Sequence, residues 1–295
     1  MNNKIRPKTA VLYLLMTPSI ILYGICCITP LFVAYYYSFF KWGGGINMKF
    51  IGLSNYMTLM SDTQFWSAFL NNLQFILWNV IGQIGFALII SMLLTSKMVK
   101  FRGLHRMVIF FPVILSAVVV GFLWRIIYNK DYGLLNLFLT KVGRPDLIQA
   151  WLDKPKIIIK SLAIPKIWQY IGYYMVIILA GIQNIDNSVI DSAEIDGAVG
   201  WKKLVYIVAP LIKNTLFVSV MLCISGNMKT FDQIYVMTGG GPGTSSEVVA
   251  LYAYQVSMDR MNYGYGSCVA IGVLILSMLL ILLSKSFNKK NSSTV

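Results

Sequence analysis

The sequence predicts an all-α integral membrane protein of six transmembrane helices, and three observations carry that prediction. Hydrophobic residues make up 57% of the 295-residue chain and charged residues only 12%, against roughly 25% charged in a soluble domain. The apolar residues gather in six stretches, each near the roughly 20 residues that a helix needs to cross about 30 Å of hydrocarbon. Basic residues stand mostly beside those stretches, so headgroups and the positive-inside rule account for the net charge of +14. Nucleic acid, the usual partner of so basic a soluble chain, is excluded on the same ground.

Lys4, Arg6 and Lys8 precede the first stretch, about 10–40. It is longer than the roughly 7–15-residue core of a secretory signal and lacks a small-residue cleavage pattern, so it reads as a retained span. Pro18 and Pro30 mark a kink or an early end. Residues 41–68 read as an external loop with a short helix near Tyr56. The second span, about 70–95, carries Asn71, Asn72, Gln74, Asn79 and Gln83. Amides in hydrocarbon need partners, so this face is expected to turn toward protein or a wet cavity. Lys97, Lys100, Arg102 and Arg106 then mark a cytoplasmic loop.

The third span, about 107–128, contains Pro112 and ends near Arg125, where snorkelling to the interface competes with lining a pathway. Residues 129–156 form an external loop. The fourth span, about 157–182, is interrupted by Lys160, Pro165 and Lys166, so its crossing part is expected from near Ile164. Trp168 and its neighbours suit an interfacial belt, while Gln169, Tyr173 and Tyr174 also suit contact with a hydroxylated solute. The fifth span, about 211–228, holds Asn227 and is the shortest; the sixth is about 266–283, followed by Lys285, Lys289 and Lys290. Six spans put both termini on one side. The basic tails and the tight 97–106 loop make that side cytoplasmic, although the opposite loop 129–156, with Lys160 and Lys166, is basic as well.

Between the fourth and fifth spans lies a polar island, 187–210, in a window holding Asp186, Asp191, Glu194 and Asp196. Ser188 with Asp191 three residues on is a weak capping box that starts a helix. Val189, Ile190 and Ala193 give it an apolar side, with the acids as a solvated face. Asp196-Gly197 ends it, because glycine readily adopts the left-handed backbone. A second helix restarts near Val199 and runs to Pro210. On local physics alone this is a pair of short helices or an ordinary polar loop.

The chain shows no energy-converting chemistry of its own. The glycine run 239–243 is followed by Thr244-Ser245 with no lysine at the phosphate-loop position, so a tight external turn is expected instead. Cys26, Cys27, Cys223 and Cys268 lie in apolar stretches and read as buried, inert thiols. His105 is the only histidine, which leaves no zinc set. No acid or base of proton-relay type stands at a span centre. Such a protein is a passive channel, draws energy from a partner, or does not transport.

The run Asp191-Ser192-Ala193-x-x-Asp196-Gly197-Ala198, followed by Trp201, Leu204, Ile207 and Pro210, resembles the EAA loop of ABC-importer permeases, E-A-A-x-x-D-G-A. Asp191 and Ser192 stand where the family usually has Glu and Ala. Further elements resemble carbohydrate-uptake (maltose-type) permeases in order and spacing: Phe50-Ile51-Gly52-Leu53-Ser54-Asn55-Tyr56, the Arg106 to Pro112 run, Trp124, Gly133-Leu134-Leu135-Asn136, the Thr238 to Gly243 turn and residues 250–254.

The resemblance implies three parts: a cytoplasmic tail 1–9, a six-span importer domain 10–284 containing a coupling loop 187–210, and a cytoplasmic tail 285–295. It implies a multi-pass permease in a bacterial or archaeal cell membrane, not an enzyme, that binds no cofactor itself. ATP and magnesium belong to two partner ATPase subunits, each gripping one EAA loop; here the docking residues are Asp191, Ser192, Ala193, Asp196, Gly197 and Ala198. A second, non-identical permease completes the path, and an extracytoplasmic solute-binding protein delivers a sugar or oligosaccharide. Gln169, Tyr173, Tyr174 and Asn227 are expected to face that path. The same machine for a non-sugar solute such as a glycerol phosphate ester, and a non-transport scaffold, are the alternatives; a membrane-embedded enzyme would need a catalytic set at one depth, and none is visible.

Overall fold

The computed structural model describes residues 9–96 and 99–292, with side chains from 11 to 286 within them. Lys4, Arg6, Lys8 and Lys97, and the side chains of Lys289 and Lys290, lie outside that range. The chain divides into two compact units: residues up to Asp62 with Ala253–Leu274, and Thr63–Tyr252 with residues from Ile275 onward.

The first unit opens with α1, Val11–Tyr37, apolar throughout and with none of its residues buried in the chain. Pro18 and Pro30 do not end it. Pro30 falls in the first turn of the segment Thr29–Tyr37, which resumes after a π-helical turn at Gly24–Ile28, a position where a missing N–H costs little. Cys26 and Cys27 are exposed on this helix, contrary to the expectation of buried thiols, because among the described residues none buries this part of α1. A two-stranded hairpin follows, β1 at Phe40–Lys41 and β2 at Lys49–Phe50, then α2 at Ser54–Ser61. The hairpin was not expected from sequence; α2 is the short helix anticipated near Tyr56.

The second unit holds the other helices up to residue 252. The helix α3, Thr63–Thr95, starts earlier than its hydropathy suggests. Asn72, Asn79 and Gln83 are buried as expected, but Gln74 is exposed, because two residues on from Asn72 lies the opposite side of a helix. The expected third span is broken into α4, Arg102–Ile114, and α5, Ala117–Ile127, bent by 98°. Pro112 sits in a 3₁₀ turn at the end of α4, and the Ser116 hydroxyl caps α5 by accepting from the Val118 N–H at 3.3 Å. After α6, Leu134–Lys141, α7 runs unbroken from Ile158 to Gln183 through Pro165, where an interruption was expected. Proline removes the donor for the carbonyl four residues back, and the Tyr128 hydroxyl takes its place, donating to the Ser161 carbonyl at 3.0 Å. Lys160 and Lys166 lie over the rings of Trp78 and Tyr170 at 5.0 and 4.5 Å, an environment that suits a cation near aromatic faces.

The chain continues through α8, Asn187–Ile195, and α9, Gly200–Leu211. Next comes α10, Lys213–Met228, bent 81° from α9. Two short helices absent from the sequence reading follow, α11 at Asp232–Thr238 and α12 at Val249–Tyr254. The last helix, α13, is Tyr263–Ser292. Among the described residues four helices are long and apolar enough to cross a membrane, and six if each bent pair counts as one span.

One apolar cluster positions the site. Ile84, Ala87 and Leu94 of α3 pack with Tyr174, Met175, Ile178 and Ile182 of α7, Leu204 and Val208 of α9, and Cys223 of α10. Close approach is built in: a side chain on Gly172 of α7 would lie 2.3 Å from the Ile109 carbonyl of α4, so the two backbones touch where only glycine fits.

Candidate functional site

The polar island folds into a helix, a glycine turn and a second helix. Its first cap is Asp186, whose carboxylate accepts from the Ser188 N–H at 2.9 Å; Ser188, the cap expected from sequence, is instead inside the first turn. That backbone N–H holds the Asp186 carboxyl below its ordinary range. At the other end the Gly197 N–H donates to the Glu194 carbonyl at 3.1 Å and the Ala198 N–H to the Ala193 carbonyl at 2.8 Å. Together with Gly197 at φ +82°, this is a Schellman cap. Open space surrounds the position a Gly197 side chain would occupy, so backbone conformation alone selects glycine there.

The six predicted docking residues divide around this turn. Ser192, Ala193, Asp196 and Ala198 line a shallow groove of about 390 Å³ with Ser188, Val189 and Ile207. Asp191 faces the other way, into a cavity of about 700 Å³ with Arg102, Arg106, Glu194 and Lys203 among its lining groups. Gly197 forms the bend between. Glu194 is not a purely solvated acid: Lys203 of α9 reaches it at 2.6 Å, tying the two short helices across the turn. Arg102 is occupied as well, donating to the Ser96 and Val99 carbonyls at 2.8 and 3.3 Å just past the end of α3.

Beneath the turn, Leu204 and Val208 are 4% and 1% exposed and belong to the cluster shared with α3 and α7. Sequence reasoning missed their weight, although four-residue spacing of apolar residues was the available signal. They join the turn mechanically to the spans.

Deeper in the unit runs a polar seam. Gln83 of α3 donates to the Lys166 carbonyl at 3.1 Å and accepts from the Cys223 thiol at 3.2 Å. Ser91 donates to the Met175 carbonyl at 3.0 Å. Gln169 donates to the Leu115 carbonyl at 2.8 Å, and Asn227 to the Cys223 carbonyl at 2.8 Å. Of the four residues predicted to face a path, Gln169, Tyr174 and Asn227 are buried within the chain. Tyr173 is half-buried and stands edge-to-face against Tyr174, ring centroids 5.0 Å apart. The structure thus places the four on α7 and α10 without gathering them at one open surface.

The family model for the binding-protein-dependent transport system inner membrane component matches residues 83–293. The chain belongs to that family. The permease is 37% identical, over 94% of both chains, to a probable ABC transporter permease of Pyrococcus horikoshii. It is 30% identical, over 88% of its own length and 87% of the other's, to a probable starch degradation products transport system permease of Thermoanaerobacterium thermosulfurigenes. Its fold matches a chain of a bacterial alginate ABC transporter solved in complex with an alginate pentasaccharide-bound periplasmic protein. That match has a TM-score of 0.81 and 20% identity, covering 96% of the permease and 95% of that chain.

Proposed function

We propose that this permease forms half of a path for a sugar or oligosaccharide and couples to a separate ATPase subunit through the 187–210 loop. The observation that carries the coupling role is the capped turn itself. The groove residues Ser192 and Ala193 lie on α8, and Asp196 and Ala198 in the turn that caps it, while the companion helix α9 is seated in the core of the spans. A rigid short helix held by a partner transmits its displacement to whatever it is packed against, here α3 and α7. ATP and magnesium bind the partner ATPase subunit, which carries out the hydrolysis. A second permease, non-identical to this one, closes the path, and an extracytoplasmic binding protein loads it.

The sugar reading rests on the relative named as a probable starch degradation products transport permease, and tyrosines at membrane depth suit the apolar faces of a sugar ring. Tyr173 has surface to offer the solute, while Gln169, Tyr174 and Asn227 form the wall behind it. Both termini, the 97–106 loop and the 187–210 loop face the cytoplasm. The deciding experiment reconstitutes the complete importer in vesicles and compares uptake of a maltodextrin with that of a glycerol phosphate ester. ATP-dependent uptake of the oligosaccharide alone is expected; uptake of the ester alone would overturn the sugar reading and leave the coupling role standing.

A further inference from the structure

We propose that the hairpin and α2 form an interfacial anchor that seats this permease on phospholipid at the far end of α1, in the outer leaflet under the topology above. The module begins three residues after α1 ends at Tyr37, so it lies at headgroup depth by chain length alone. It is rigid. Asn55 of α2 donates to the Ser38 and Phe40 carbonyls at 2.7 and 3.0 Å, Ser38 and Tyr56 share a hydrogen bond of 2.7 Å, and the Ile51 N–H donates to the Phe39 carbonyl at 2.9 Å. The start of α13 clamps it: the Gly264 N–H donates to the Trp42 carbonyl at 3.0 Å, and the Tyr265 hydroxyl donates to Asp62.

Two features of this rigid module point to lipid. The first is an apolar row with helical spacing: Leu53, Met57 and Met60 are 58%, 71% and 72% exposed, on the side of α2 opposite the buried Asn55 and Leu59. An amphipathic helix of this kind lies in the interface with its apolar side in the acyl boundary. Aromatic rings gather where the hairpin leaves α1, Tyr37 against Trp42 at 4.4 Å and Trp42 against Tyr263 at 5.4 Å, as in an interfacial belt. The second is charge. Lys41 and Lys49 are directly opposed in the hairpin register, both are exposed, and neither forms an ion pair among the described residues. Like charges opposed across a strand pair repel, and a lipid phosphate between them converts that repulsion into binding. The occupant is thus an anionic phospholipid, with phosphate at the lysines and acyl chains along the Met57 row.

The test uses the full chain purified with its partner subunits and reconstituted in phosphatidylethanolamine–phosphatidylglycerol vesicles. The photo-crosslinker benzoylphenylalanine is placed at position 57, 60 or 58 in separate preparations. Phospholipid adducts at 57 and 60 are expected to exceed those at Thr58 by about threefold or more. Cross-links to another polypeptide at 57 and 60, or no lipid adducts, would overturn the anchor. Phosphatidylglycerol retained by the detergent-extracted complex is then measured by native mass spectrometry. The double change Lys41→Gln with Lys49→Gln removes the charge-assisted contacts to the phosphate and is expected to weaken retention about tenfold or more, and Lys→Arg at both positions to restore it. Unchanged retention in the Gln pair would overturn the headgroup site.

Discussion

Gly197 shows how much one residue settles. Its φ of +82° lies where a β-branched side chain is strained, yet nothing occupies the space around it. Gly197→Val is therefore expected to disturb the angle between α8 and α9 while leaving the spans folded. In the reconstituted importer, solute-stimulated ATPase activity should fall at least about tenfold while the variant keeps wild-type yield, since backbone strain of about 1–2 kcal/mol is local. Wild-type stimulation would show that the turn angle does not matter for coupling. Asp186 makes a second prediction. Its depressed pKa means that its cap stabilises α8 above the ordinary carboxylate range and loses that effect as pH falls through the lowered folded value. Amide exchange at residues 188–190, corrected for intrinsic rate, should rise with acid in the wild type, whereas Asp186→Ala should show the raised exchange already at neutral pH. Much of this was legible in sequence: Asp196-Gly197 named the helix end correctly. The start was misread because Ser188 and Asp186 are both good caps, and only the preceding backbone decides between them.

At the level of elements, the bend between α4 and α5 escaped the sequence. Hydropathy averages over a window and records where apolar residues are, not where the axis turns, so α4–α5 reads as one straight span, whereas the boundary between α9 and α10 is placed by sequence at Pro210, beside the observed bend. The local signals were present, with Pro112 and Ser116 at the first bend. The converse error occurred at Pro165, whose break is repaired by a hydroxyl from Tyr128, more than thirty residues away; no local rule reveals such a partner. Packing beneath the glycine turn is testable here too. Leu204→Ala and Val208→Ala each remove a buried side chain from the cluster with α3 and α7, and Leu→Ala in a core costs about 2–5 kcal/mol. Thermal unfolding of the detergent-solubilised protein should fall by several degrees for Leu204→Ala, with less for Val208→Ala, and transport should fall further than binding of the ATPase. Gly172→Val is expected to be worse, because its side chain meets the Ile109 backbone, which has no rotamer through which to give way; loss of folded yield in membranes is the readout.

For the whole molecule, the membrane class and the transport family followed from composition, six apolar stretches and the 191–198 motif, which need no knowledge of contacts. The candidate path was less legible. Side chains at membrane depth can be recognised as polar, but whether Gln169 or Asn227 faces solute or a neighbouring carbonyl depends on helix rotation, and both donate to carbonyls within the chain. Tyr173 is the position where the distinction can be measured. With the native cysteines replaced, Tyr173→Cys should react with an aqueous thiol reagent in at least one nucleotide state of the importer, and Asn227→Cys should react at least about tenfold more slowly, as expected of a group held in the packed interior. A tagged chain should also bring down a second permease and an ATPase subunit, and scrambling residues 191–198 should release the ATPase while retaining the permease.

The Leu204 and Val208 seats have one more consequence, for association. In residues 186–211, α8 is capped at both ends and α9 is seated in the core. A docking segment that had to fold on contact would spend part of its interaction energy on ordering, commonly about 2–5 kcal/mol. If an ATPase docks here as proposed, the capped turn needs no ordering on contact, and rigid-body docking is expected. Binding should then show a modest heat-capacity change, set by the groove's buried area rather than by coil-to-helix formation.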